Sequence, residues 1–190
     1  MIPTNSAGVA GRIDDAGRII TSSDIPYAIE QGIFYRASHY TTSIAAAGKI
    51  KYVIDPSGCL CPYRLQVNVT AEQDIRIMFY EGAAPTANGT AVTTHNFNRQ
   101  YAADGSGNWK IYHTPTVAAD ASGNICAPDI RMFIASGAGP FGANMPSTGG
   151  NQNYTLLNPA RVYLVEIINT DSAATQIQAY FRMMEEPTGG

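Results

Sequence analysis

The histidines His39, His95 and His113, together with Cys59 and Cys61, supply the ligand types of a metal centre. Structural zinc sites draw on paired C-x₂₋₄-C or H-x₃₋₅-H units. Here Cys59 and Cys61 have only Leu60 between them, and no two histidines are closely spaced. His113 shares the alternation of Trp109 and Ile111 and reads as a satisfied core or rim histidine. A Cys–His nucleophilic pair would have to meet in space, and nothing around Cys59, Cys61 or Cys126 marks a depressed thiol pKa. Glu81 and Glu166 are the carboxylates that could flank a glycosidic bond. Glu81 closes a strand-like run, and Glu166, between Val165 and Ile167, reads as paired with a basic side chain or turned to an oligomer interface. Gly137-Ala138-Gly139-Pro140-Phe141-Gly142 fits G-x-G-x-x-G, but dinucleotide binding needs a helix to follow. Ala143 through Gly150 cannot form one, so the segment reads as a flexible loop. The eleven tyrosines, among them Tyr27, Tyr35, Tyr40, Tyr52 and Tyr63, could stack sugars or bases. Their use as strand residues and interface anchors is the stronger reading. No catalytic residues, metal ligands or cofactor set emerge, and the expectation is a protein that is not an enzyme and takes no cofactor.

Composition narrows the scaffold. In 190 residues, 12 basic and 15 acidic side chains give a net charge of −3, which argues against the basic surface of a nucleic-acid binder. Charged residues make up 14% of the chain, against about 25% in ordinary domains, so the surface must be built from Ser, Thr, Asn, Gln and Gly. No apolar run approaches the ~20 residues that span a bilayer, and Met1 to Asn5 does not open a secretory signal. The odd number of cysteines reads as free thiols in a reducing cytosol.

The elements that must position any site are strands. Leu65, Val67 and Val69 alternate with Arg64, Gln66, Asn68 and Thr70, as a half-buried strand requires. Ile75, Ile77 and Phe79 repeat the pattern, with Ala71-Glu72-Gln73 short enough for a hairpin between the two runs. Ile50, Tyr52 and Ile54 face away from Lys49 and Lys51, Trp109 and Ile111 alternate with Lys110 and Tyr112, and Ile130, Met132 and Ile134 alternate with Arg131 and Phe133. Val162 to Ile168 is apolar on both faces, as in a central strand. Its expected partner is the run of Ile177, Ala179, Phe181 and Met183, which turns Gln176, Gln178, Tyr180 and Arg182 outward. Eight or nine such strands predict an all-β fold, a single β-sandwich with jelly-roll-like topology. Two long connections, Asn96–Asn108 and Gly137–Asn153, are where contacts with partners are expected. Before Gly32 the sequence is small and polar, with a short helix that Ser22 to Pro26 could start and Gly32 would stop within two turns. Residues 1–31 therefore read as an extended N-terminal arm and 32–190 as the sandwich.

One pattern goes beyond composition. An alternating strand leads into Ile77-Met78-Phe79-Tyr80-Glu81-Gly82, followed by Gly89-Thr90-Ala91-Val92-Thr93 and Asn96-Phe97-Asn98-Arg99. After the glycine-rich loop come Tyr154-Thr155-Leu156-Leu157-Asn158-Pro159, then Tyr163 through Thr170, and a last strand ending Tyr180-Phe181-Arg182-Met183-Met184-Glu185. This order resembles the small β-sandwich capsid decoration, or cement, proteins of tailed bacteriophages. Their "F-E-G…G-T…N-R-N-R" stretch precedes a glycine-rich loop, a "L-x-P-x-x-x-Y-L-L-x-I-x-N-x-S" strand and a final "W-Y-E" strand. Gly32-Ile33-Phe34-Tyr35-Arg36-Ala37-Ser38 is similar to their opening "G-x-x-F-x-A-S" strand. The likeness spans Gly32 to Glu186. It departs at Asn96–Gln100, which keeps one arginine, and at Met183-Met184-Glu185-Glu186, which replaces the terminal aromatic-acid pair.

The resemblance implies a structural virion protein, made in the host bacterial cytoplasm, that binds the outer surface of the head and stabilises it. Its implied partners are the major capsid protein and further copies of itself in a homotrimer, without nucleic acid or membrane. A glycan- or receptor-binding virion module is the alternative. Candidate capsid or subunit contacts are Ile2, Val9, Ile13, Ile19 and Ile20 of the arm, Asn96, Phe97, Asn98 and Arg99 in the first long connection, and Phe141 and Met145 in the second. The spacing of the arm's apolar residues suits an extended segment laid over a neighbouring subunit.

Overall fold

The computed structural model describes residues 12–13, 19–20, 29, 32–58, 63–98, 100, 109–117, 124–125, 130–132, 141–144 and 155–185. Two strands, β1 (Arg12–Ile13) and β2 (Ile19–Ile20), pair with each other near the start of the chain. The main body contains β3 (Phe34–Ile44), β4 (Lys49–Asp55), β5 (Tyr63–Ala71), β6 (Ile75–Glu81), β7 (Pro85–Ala87), β8 (Thr90–Val92) and β9 (Thr94–Asn96). It continues with β10 (Lys110–His113), β11 (Thr116–Val117), β12 (Asn124–Ile125), β13 (Ile130–Met132), β14 (Phe141–Asn144), β15 (Thr155–Leu157), β16 (Tyr163–Asn169) and β17 (Thr175–Glu185).

These strands build two antiparallel sheets. The first runs β12-β6-β16-β4-β10-β8, with β13 also on β6, and the second runs β14-β5-β17-β3-β9, with β15 also on β5. β7 and β11 form a separate pair. The fold is the all-β sandwich expected from the alternation. Ile50, Tyr52 and Ile54 of β4, Ile75, Ile77 and Phe79 of β6 and Val165 and Ile167 of β16 face Leu65, Val67 and Val69 of β5 and Ile177, Ala179, Phe181 and Met183 of β17 in one core. Rings interlock across it: Tyr52 meets Phe181 edge-on at 5.2 Å and Tyr35 meets Trp109 at 6.2 Å. β16 lies between β4 and β6, and its outward Leu164 joins Val53, Met78, Tyr80 and Ala83 in a second buried cluster. A strand with apolar layers on both sides must be apolar on both faces, as β16 is apart from Glu166.

Two expected pairings are corrected. β5 and β6 do not form a hairpin, because β5 pairs with β17, β14 and β15 while β6 pairs with β16, β12 and β13. Nor does β16 pair with β17, whose partners are β3 and β5. Both short connections instead carry the chain from one sheet to the other, and they lie side by side. Thr170 N donates to Asp74 O at 3.0 Å, Gln73 N to Thr175 Oγ1 at 3.1 Å and Glu72 N to Gln176 O at 3.3 Å. Asn169 anchors the crossing. Its fully buried amide nitrogen is within hydrogen-bond distance of the carbonyls of Ile44 (3.1 Å), Ala45 (3.1 Å) and Ala173 (2.7 Å), and its Oδ1 accepts from Asp171 N at 3.0 Å. A third correction concerns the glycine-rich connection, where Phe141 to Asn144 is strand β14, paired with Ala71 to Asn68 of β5.

Candidate functional site

The carboxylates do not form a catalytic pair. Glu166 lies opposite Met78 and Glu81 opposite Tyr163 on adjacent strands. The two are thus three residue steps apart, about 10 Å along the strand, and an odd offset puts them on opposite faces of the sheet. Glu166 is buried on the outward face against Lys49 Nζ at 3.2 Å and Lys51 Nζ at 3.7 Å, which is the basic pairing the sequence predicts. Glu81 ends β6, as expected, with Arg161 Nε 4.0 Å away.

His39 and His113 come together across the gap between the sheets, their rings stacked with centroids 4.0 Å apart. His39 Nδ1 lies 3.0 Å from Tyr52 Oη and 3.4 Å from Thr41 Oγ1, and His113 Nδ1 lies 3.3 Å from Thr114 Oγ1. Burial, and then the neighbouring His113, lowers the His39 pKa below its ordinary 6.5. Burial also drives the Tyr52 hydroxyl pKa well above the usual tyrosine range, so that the group stays protonated. His113 is therefore the rim histidine expected from its register. Among the described residues no cluster of three or more His, Cys, Asp or Glu could hold a metal ion. Cys59, Cys61 and Cys126 lie outside the described residues.

The candidate contact residues have different surroundings. Asn96 is buried, donating from Nδ2 to Gly32 O at 2.6 Å and accepting from Asn98 N at 2.8 Å. Phe97 packs on Phe34, ring centroids 4.6 Å apart, in a small cluster with Met184 and Ile33, and the Arg36 guanidinium sits 5.2 Å from its ring centre. Asn98 Oδ1 accepts from Gln100 N at 3.1 Å. Ile13 lies on β1, Ile19 and Ile20 on β2, and Phe141 on β14. Ile2, Val9, Arg99, Met145, Phe133 and Ile134, the segment Ser22–Pro26 and the rest of both long connections fall outside the described residues.

A recess lies elsewhere, on the outward face of the second sheet. Three cross-strand rows span β3, β17 and β5: Arg36–Arg182–Gln66, Ser38–Tyr180–Asn68 and Tyr40–Gln178–Thr70. Six of these side chains, Gln66, Asn68, Thr70, Gln178, Tyr180 and Arg182, line a groove of about 490 Å³. Arg182 Cζ lies 5.2 Å from the Tyr180 ring centre, and Nη1 makes a long 3.4 Å contact to Gln66 Oε1. Arg182 Nε is buried without a hydrogen-bond partner. At the rim, the Tyr40 hydroxyl donates to Gln176 Oε1. The outward positions described on β3, β5 and β17 include no Asp or Glu. Alternation alone puts Gln66, Asn68 and Thr70 on one outward face and Gln178, Tyr180 and Arg182 on another. The groove follows only once β5 and β17 are adjacent, and the two assumed pairings hid that. Of the tyrosines considered for stacking, Tyr35 and Tyr52 are buried in the core and Tyr40 is 55% exposed. Comparison of the chain with protein-family models, curated proteins and solved structures gave no match.

Proposed function

We propose that this chain is a capsid decoration protein of a tailed bacteriophage. It binds the outside of the assembled head as a homotrimer, with the N-terminal arm reaching a neighbouring subunit or the major capsid protein. The observation that carries the reading is the order of the family-like segments, several of which coincide with strands of the sandwich in chain order. Ile77 to Glu81 ends β6, Thr90 to Val92 is β8, Thr155 to Leu157 is β15, Tyr163 to Asn169 is β16 and Tyr180 to Glu185 ends β17. The turns between them bear the residues the pattern needs. Gly82 and Gly89 have φ of 75° and 89°, and a Cβ at Gly89 would press into the backbone of His113 and Thr114. Binding only the assembled lattice would stabilise it by mass action, and a sandwich with two sheet faces and a long arm can do this without catalysis.

The second reading, a glycan- or receptor-binding virion module, draws on the amide- and tyrosine-lined groove. Co-sedimentation with heads beside a glycan array separates the two. Capsid binding by trimers supports decoration, and a strict monomer by light scattering that leaves heads bare removes it.

A further inference from the structure

We infer that the groove on the outward face of β5 and β17 binds a carboxylate-bearing saccharide. This deepens the glycan-binding reading and stands apart from the capsid reading. The argument starts from charge. Arg36 and Arg182 face each other directly in register, an arrangement that like charges make unfavourable. No carboxylate on the described outward positions of β3, β5 or β17 offsets them, although the chain as a whole carries −3. Arg182 has no ion pair among the described residues. Its contacts among the described residues are the Tyr180 ring and one long bond from Nη1 to Gln66. A guanidinium presents a planar fork of donors that matches a carboxylate bidentately. Arg182 therefore lines an open groove with terminal Nη donors that only Gln66 engages among the described residues.

The remaining walls decide what carries that carboxylate. Gln66, Asn68 and Gln178 each present a carbonyl acceptor beside an NH₂ donor, and Thr70 adds a hydroxyl. A fully deprotonated inorganic anion offers only acceptors, and hydrogen phosphate has at most two hydroxyls, so either leaves amide carbonyls facing lone pairs. A polyol offers both donors and acceptors and can satisfy each amide at both ends. Tyr180, flanked in its row by the short Ser38 and Asn68, gives a ring face for the apolar side of a pyranose. From Gln66 to Thr70 the groove runs four residue steps, about 13 Å. Its volume falls in the usual small-ligand range of roughly 300–1,000 Å³. Hydroxyls along the ring, one apolar face and one carboxylate describe a uronic- or sialic-acid-type sugar.

The test uses the full chain and defined oligosaccharides: digalacturonate, sialyllactose, neutral lactose and inorganic phosphate, each titrated by calorimetry and by NMR. The acidic sugars should bind and lactose should bind at least tenfold more weakly. Arg182→Gln should weaken acidic binding by about 10- to 100-fold, the range of one charge-assisted contact, and Tyr180→Ala should weaken both classes of sugar. Arg182→Lys, which keeps the charge but loses the fork, should fall between. Circular dichroism and the thermal midpoint establish that each variant is folded. Equal binding of neutral and acidic sugars overturns the carboxylate assignment and leaves glycan binding standing. Phosphate bound as tightly as digalacturonate, or acidic binding unchanged in Arg182→Gln, also overturns the inference. Binding of no saccharide at millimolar concentration overturns both it and the glycan-binding reading.

Discussion

Asn169 is the side chain on which the passage from the first sheet to the second depends, and its removal has a calculable consequence. Asn169→Ala takes away the two N–H groups shared among the carbonyls of Ile44, Ala45 and Ala173 and the acceptor used by Asp171 N. The Ile44 bond is buried, so its loss costs about 1–3 kcal/mol. The other three partners are partly buried and water can replace much of what they lose, at about 0.5 kcal/mol each. The sum is about 3 kcal/mol, or a Tm lowered by about 6–12 °C in a domain of this size. Asn169→Asp should be worse at neutral pH, because it sets a carboxylate oxygen against carbonyl oxygens at a fully buried position. It should recover in part as the pH falls through the raised pKa of that acid. Urea unfolding followed by fluorescence is well suited, since Trp109 is the only tryptophan and is fully buried. An Ala variant within about 0.5 kcal/mol of the parent, or an Asp variant as stable as Asn at pH 7, would refute the assignment of Asn169 as the anchor.

Two further outcomes follow, the first from the structure and the second from the proposed decoration reading. The lowered pKa of His39 means that the unfolded chain binds the extra proton more readily, so stability should be complete above about pH 6.5 and decline as the pH falls below it; His39→Asn should flatten that decline in thermal melts between pH 7.5 and 4.5, and an unchanged slope would contradict it. Deleting residues 1–26 should leave the circular dichroism spectrum of the sandwich intact while weakening trimer formation or capsid attachment; unchanged affinity and oligomeric state would make the arm dispensable.

Much of the fold was legible because period-two alternation reports burial directly. Leu65, Val67 and Val69 face the core, and β16 is apolar on both faces, apart from Glu166, because Leu164 lies under a second cluster. Strand partners were not legible. Short polar turns such as Ala71-Glu72-Gln73 and Asn169 to Ala173 serve a hairpin and a sheet crossing equally well. What separates them is the long-range bonding of Thr170 to Asp74 and of Gln73 to Thr175. The groove inherited that blindness, since its two walls lie more than a hundred residues apart in sequence, as the contact of Gln66 with Arg182 shows. Asn96 was legible as part of a motif, but its burial and its bond to Gly32 were not, because both depend on β9 pairing with β3.

The most direct test of the decoration reading is co-sedimentation of the purified full chain with heads assembled from the major capsid protein encoded in the same genome, with unassembled capsid protein as the control. The account predicts saturable binding to assembled heads at a fixed ratio in multiples of three per lattice site, and none to unassembled subunits. Heads that pellet without the chain, or equal binding to unassembled subunits, would contradict it.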